Sequence, residues 1–320
     1  MVKISTAITI NNPTFDSINN DLFKRFTEYT DVKETTIKSY NVCLRHFIDW
    51  IAKRGINKPQ REDIKNYKIY LDKQKFSAGT KAEYFRAVKH FFKWAASEGI
   101  YPNVADNIKA VKVKHDNTRK DPLRETDIIK VLDSINTENE TGKRDYAMLI
   151  LAVTGGLRII ELQRADIGDI ETIAGERVLF IQGKGRDEKD EYVKFVPEVW
   201  EAVSKYLYSR QAVKKKDPLF AGTGNRAKGH RLTVQSISRI IKNILINAGY
   251  DSKRLTAHSI RHTSITLLLK AGATLQEAQY HARHSDPATT GIYAHNIERE
   301  KDQSEQRIYD QIFKSEETDE

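Results

Sequence analysis

TAHSIRHTSITLLLKAG, residues 256–272, reads as one capped helix with chemistry on it. Thr256 is suited to cap its start, Ile260, Leu267 and Leu268 form an apolar stripe, and Gly272 is suited to stop it. His258 and Arg261 are three apart, so both fall on one side of the helix. Downstream, Thr274 and Glu277 have the Thr-x-x-Glu spacing of a capping box, which predicts a second helix ending near His284. Asp286 followed by Pro287 predicts a fresh N-cap with proline at the first helical position. The helix so opened carries Tyr293 about two turns on. Three short helices can therefore bring His258, Arg261, His284 and Tyr293 to one pocket.

Outward from this stretch the chain alternates helical patterns with one β patch. TGGLRIIEL, residues 154–162, puts Arg158 just after a double glycine that ends a helix, and Glu161 three residues further on. RVLFIQGKGRDEKDEYVKFV, residues 177–196, has two β-rich runs around a polar turn with Lys184 at its tip, the pattern of a hairpin. Helical periodicity is expected over Arg144 to Val153, Val199 to Val213 and Val234 to Asn247. Upstream, apolar residues recur from Thr35 at spacings of three and four. Further helices are expected near Arg61 to Gln74 and from about Thr80. Lys81, Arg86, Lys89 and Lys93 lie on the polar faces of the last of these, as candidate phosphate contacts. Ser236, Arg239 and Lys242 are candidates on a helix that could enter a DNA groove.

The charge distribution points the same way. The chain has 53 Lys and Arg against 44 Asp and Glu, a net +9. Residues 1–120 hold 23 basic and 13 acidic side chains, whereas residues 298–320 hold 4 and 9. A positive first third favours a polyanion, most simply nucleic acid. The single cysteine, Cys43, excludes an internal disulfide and a thiolate metal cage. No secretory leader and no run of ~18 apolar residues is evident, so a soluble, cytoplasmic protein without a membrane role is expected. There is no Walker loop and no carboxylate cluster of metal-binding type. His258 and His262 have i, i+4 spacing but lack the glutamate of a zinc-hydrolase motif.

In order, Arg158, Lys184, His258-x-x-Arg261, His284 and Tyr293 resemble the signature of the tyrosine recombinase (phage integrase) family. The resemblance spans about residues 20–298. It implies a mainly α fold with a small β-sheet: an N-terminal helical, SAM-like core-binding domain and a C-terminal catalytic domain, forming a C-shaped DNA clamp. The expected organisation is a flexible lead-in (1–20), the core-binding domain (21–112), a linker (113–122), the catalytic domain (123–297) and a C-terminal tail (298–320). The tail holds Ile308, Ile312 and Phe313, suited to dock on a neighbouring protomer. No arm-binding domain fits in residues 1–20. Two positions depart from the family pattern: Arg283 stands where a glycine often precedes the second histidine, and Gly155 precedes Gly-Leu-Arg where other residues are common.

The implied activity is site-specific cleavage and rejoining of double-stranded DNA at inverted-repeat core sites, through a 3′-phosphotyrosyl intermediate and a Holliday junction, with neither cofactor nor metal required. Tyr293 is the implied nucleophile and Lys184 the general acid for the departing 5′-hydroxyl. Arg158 and Arg261, planar forks of fixed charge, suit the non-bridging phosphate oxygens. His258 and His284 suit proton transfer, and Glu161 a supporting hydrogen bond. His262, His281 and His295 read as packing residues. The implied assembly is a tetramer on DNA, with the tail docked in trans and room for a DNA-bending or excision factor. Integration or excision of a mobile element fits the ending of the chain. Xer-type dimer resolution, a type IB topoisomerase and a non-catalytic DNA-binding protein are the alternatives.

Overall fold

A computed structural model describes residues 20–30, 32–111, 122–183, 186–210 and 213–313. The chain divides into two compact units between Asp116 and Asn117. Lead-in residues 1–19, most of the expected linker and Lys184 lie outside the described residues.

The first unit is helical: α1 (Asn20–Tyr29), α2 (Glu34–Ala52), α3 (Arg61–Lys73) and α4 (Ala78–Ser97). No element was expected before Thr35, so α1 is an addition. Its polar flanks hide it, but Phe26 is fully buried and meets Trp94 edge-on at 5.3 Å. The helix α4 starts two residues before Thr80, because the Ser77 hydroxyl accepts from the Thr80 N–H at 3.1 Å. Gly55 and Gly99, both at positive φ, follow α2 and α4. Aromatic residues dominate the core: Phe47, Tyr67, Phe85, Phe92 and Trp94 are each 1 % exposed or less. Truncating one such ring to alanine costs about 3–5 kcal/mol.

The second unit is mostly helical: α5 (Glu125–Asp133), α6 (Glu140–Thr154), α7 (Ile159–Arg164), α8 (Pro197–Arg210), α9 (Val234–Asn247), α10 (Ala257–Lys270), α11 (Leu275–Ala282), α12 (Pro287–Lys301) and α13 (Ser304–Phe313). Between α7 and α8 runs an antiparallel sheet of β1 (Ile170–Ile173), β2 (Glu176–Ile181) and β3 (Glu191–Lys194), in that order. The expected hairpin is β2–β3, with Leu179 opposite Val193. The strand β1 was not anticipated: it is four residues long, largely exposed, and shows no alternation to read.

The core is centred on α6, where Ala147, Met148, Leu149 and Leu151 are fully buried, packed against α8 and α10. The helix α6 begins four residues before Arg144 because Asn139 caps it, its side chain accepting from the Gly142 N–H at 2.9 Å. Helix α8 is described over Pro197–Arg210, and Val213, its expected end, is not helical. The Leu123 N–H donates to the Thr263 hydroxyl at 2.8 Å and fixes the segment entering α5 to the middle of α10. The capping box before α11 forms as its spacing predicts: Thr274 N–H to Glu277 at 2.7 Å and Glu277 N–H to Thr274 at 3.2 Å. Asp286 accepts from the Ala288 N–H at 3.0 Å at the start of α12.

Candidate active site

The double glycine after α6 sets the geometry. Gly156 has φ +56°, and a Cβ there would lie 2.8 Å from the His281 imidazole. Only glycine fits both the left-handed backbone and that approach. The turn delivers Arg158 to the N-cap of α7. There Glu161, 1 % exposed, accepts from the Arg158 backbone N–H at 2.8 Å and from its guanidinium at 2.9 Å. Glu161, expected to give a supporting hydrogen bond, is thus bonded to both the backbone and the side chain of Arg158.

Arg261 rises from the buried side of α10 and is 2 % exposed. It donates to the carbonyl of Gly156 at 2.5 Å and to that of Ala282. Arg158 donates to the neighbouring carbonyl, that of Arg283, at 3.1 Å. The two guanidiniums, more than a hundred residues apart in sequence, therefore meet at one turn, the link from α11 to α12. Each terminal nitrogen of a guanidinium carries two hydrogens, so a bond to a carbonyl leaves donors for a further acceptor. Burial, then the Arg158 charge, push the Arg261 guanidinium down to about 9, while Glu161 pushes back. It stays protonated at neutral pH.

The same turn carries His284. Its Nδ1 lies 2.8 Å from the hydroxyl of Thr290, which is fully buried one turn into α12. Burial and the neighbouring arginines hold His284 down to about 4, so it is neutral at pH 7. The Tyr293 ring stacks on His284 at 6.4 Å and packs on His262 at 5.0 Å. Its flank rests on the small apolar cluster of Ile265, Ala278 and Ala282. Burial lifts its phenol to about 12, and the charges of Arg261 and Arg158 pull the other way.

Arg158, Arg261, His284 and Tyr293 are thus brought together. His258 is exposed, and its ring lies 4.7 Å from that of His262, near perpendicular to it. His281 is a packing residue, 2.8 Å from the Ser264 hydroxyl, and His295 is exposed on α12. Lys184 lies outside the described residues; next to it, the Gly183 carbonyl accepts from Arg164 at 3.2 Å. Lys189, just before β3, bridges Asp166 and Asp169. Beside the site opens a cleft of about 510 Å³, whose lining includes Arg158, Arg186, Tyr280, Arg283 and His284.

The residues that a linear reading misses are Thr290 and the contacts of Arg283. Thr290 is flagged only by its place between His284 and Tyr293. Arg283 stands at φ +52°, ψ +48°, a left-handed C-cap that costs a non-glycine residue about 1–2 kcal/mol. Glycine is the default there, so the arginine is a departure that the backbone does not favour.

Among the seven candidate DNA contacts, most have partners within the chain. Lys81 and Lys89 donate to the carbonyls of Asp72 and Ile108, at 2.7 and 2.8 Å, and Arg86 pairs with Glu83 at 2.6 Å. Ser236 bonds the capping Thr233 at 2.9 Å, and Lys242 donates to the Ser252 carbonyl at 2.8 Å. Lys93 and Arg239 are exposed. Among the described residues no cluster of three or more His, Cys, Asp or Glu is placed to hold a metal, and no helix is long and apolar enough to cross a membrane.

Residues 122–300 match the model of the phage integrase family, and residues 21–100 that of the phage integrase N-terminal SAM-like domain. The chain is 28% identical over 289 residues to the tyrosine recombinase XerD of Listeria monocytogenes serotype 4b, covering 86% of this chain and 94% of that protein. Its fold is similar to that of XerH site-specific recombinase bound to a palindromic difH substrate, with a TM-score of 0.68 and 23% identity over 86% of this chain and 80% of XerH. It is similar too to the Tn1549 transposon integrase in complex with transposon right-end DNA, with a TM-score of 0.64 and 19% identity over 85% and 93% of the two chains.

Proposed function

The chain belongs to the phage integrase family, and from that membership we propose that it is a tyrosine site-specific recombinase in which Tyr293 cuts DNA at a phosphate held by Arg158 and Arg261. The observation that carries this reading is the meeting of both guanidiniums at the turn that also presents His284, with Tyr293 stacked on that histidine.

The Tyr293 oxygen attacks phosphorus as the bond to the 5′-oxygen breaks, leaving a 3′-phosphotyrosyl ester and a free 5′-hydroxyl. Negative charge grows on the non-bridging oxygens, where the arginine donors offset it; removing one such donor typically costs about 10²–10³ in rate. A phenol held near 12 does not ionise in advance, so its proton leaves during attack. His284, neutral at pH 7, is one acceptor, and His258 another. Lys184 protonates the departing 5′-oxygen. The tyrosyl ester keeps the bond energy, and a 5′-hydroxyl from a partner strand reverses the step, giving a Holliday junction.

The substrate is double-stranded DNA with inverted-repeat core sites, bound by a tetramer that acts in the cytoplasm. Integration or excision of a mobile element is the role proposed first, with the Tn1549 integrase likeness in support. The XerD likeness, which extends over nearly all of that protein, supports resolution of chromosome or plasmid dimers as the second. Attachment-site duplications beside the gene distinguish the former.

The test is covalent capture. Wild-type protein is mixed with a library of nicked duplexes bearing inverted repeats, and adducts that survive denaturation are recovered. Tyr293→Phe is expected to bind the recovered duplexes normally and form no adduct. Adduct formation by the Phe variant removes Tyr293 as nucleophile.

A further inference from the structure

Arg283 is the least expected side chain in the site. A C-cap at positive φ is where glycine is cheapest, so an arginine there is paying for something beyond the turn. Its side chain is 8 % exposed and spans three parts of the second unit. One terminal nitrogen donates to the carbonyls of Gly155, at 3.1 Å, and His281, at 2.8 Å. The other donates to the Gly156 carbonyl at 2.9 Å and to the Glu161 carboxylate at 3.0 Å. Its Nε is buried without a hydrogen bond and lies 3.9 Å from Glu191, at the start of β3.

We propose that Arg283 is a positioning residue for strand cleavage: its guanidinium locks the Arg158 loop to the turn that carries His284, and shares Glu161 so that the charge of Arg158 stays available to the phosphate. The proposal rests on the cleavage reading above.

The geometry supports both halves. Arg283 and Arg261 grip the same Gly156 carbonyl from two elements, while Arg158 holds the Arg283 carbonyl in return. The loop after α6 and the turn after α11 are thereby stitched in both directions. Glu161 is buried and accepts from two arginines. With Arg283 present, three arginines share the single carboxylate of Glu161, a net +2 for an incoming phosphate; without it the group falls to +1 and Glu161, already bonded to Arg158, has Arg158 as its one remaining arginine partner in the group. Arg283 itself is not placed to grip DNA, because its terminal nitrogens are committed to three carbonyls and a carboxylate. Lysine cannot replace it: one ammonium cannot span acceptors on both sides of a planar fork.

Two variants of the full chain test this, on the nicked duplex that the wild-type protein captures. Glycine accepts the left-handed backbone, so Arg283→Gly removes the guanidinium without backbone strain. Arg283→Lys keeps the charge and the residue size. Both are expected to bind the duplex with an affinity within about threefold of wild type and to form adduct about 10- to 100-fold more slowly, as misplacement of reacting groups predicts. Free guanidinium ion, with sodium chloride of matched ionic strength as control, is expected to restore part of the rate to Arg283→Gly. A merely structural role would not give that rescue. Wild-type adduct rates in Arg283→Lys overturn the proposal, and so does a rate loss in Arg283→Gly that only follows lost affinity and resists rescue. If the wild-type protein captures no duplex at all, it is the cleavage reading that fails.

Discussion

Burial and charge act on Tyr293 in opposite directions. The phenol is desolvated, which raises it, and faces two guanidiniums, which lower it. A bound phosphate takes up much of that positive charge, so proton removal must accompany attack rather than precede it. The nearby imidazoles give a second prediction. Burial and the arginines hold His281 and His284 at about 4 against an ordinary value of 6.5. A group whose folded value lies below its unfolded value binds a proton on unfolding. Its stabilisation is complete above about 6.5 and is lost as pH falls towards 4, by up to about 3 kcal/mol for each histidine. Thermal midpoints should fall over that window, and the two imidazole resonances should stay neutral at pH 5. Titration of both near 6.5 would contradict the packing described. At this scale candidate residues are legible in the sequence and their contacts are not. Arg158 and Arg261 are legible from their motifs, whereas the bonds of Arg283 to Gly155, Gly156 and Glu161 join segments more than a hundred residues apart.

At the scale of elements, local signals decide what can be read. The Thr274–Glu277 box and the Val234–Asn247 helix are legible because a cap or a continuous apolar stripe lies within one segment. The strand β1 and helix α1 are not, since each is short and gains its place from a neighbour: β1 from pairing with β2, and α1 from Phe26 entering the aromatic core. Helix α13 poses the opposite case. It forms, yet Ile308, Ile312 and Phe313 are 60 %, 57 % and 61 % exposed. An apolar face left open on a short helix suits docking on a second protomer. Deleting residues 302–320 leaves α12 whole. It is expected to weaken higher-order assembly on paired sites, by gel shift, by tenfold or more, as about 1.4 kcal/mol of lost apolar burial requires, while single-site binding holds. Equal loss of both would rule out tail docking.

For the molecule as a whole, the charge is uneven: residues 1–120 carry 23 basic and 13 acidic side chains. If phosphate contacts dominate affinity, binding should fall linearly in log–log form with salt, by about 10³ or more between roughly 50 and 200 mM. A flat response would remove phosphate contact as the main source of affinity. The internal partners of Lys81, Lys89 and Lys242 indicate that several basic side chains stabilise loops as well as adding to the field. Candidate DNA contacts are therefore less legible in the sequence than the net charge, because a lysine's partner depends on which loop folds beside it.

Covalent joining of one tyrosine to DNA can be read directly by digesting the purified wild-type adduct with trypsin and nuclease and locating the modified peptide by mass spectrometry. A 3′-phosphate ester on Tyr293 is the expected product. A nucleotide on any other residue, or one linked through a 5′-phosphate, would rule out Tyr293 as the residue that cuts DNA in this way.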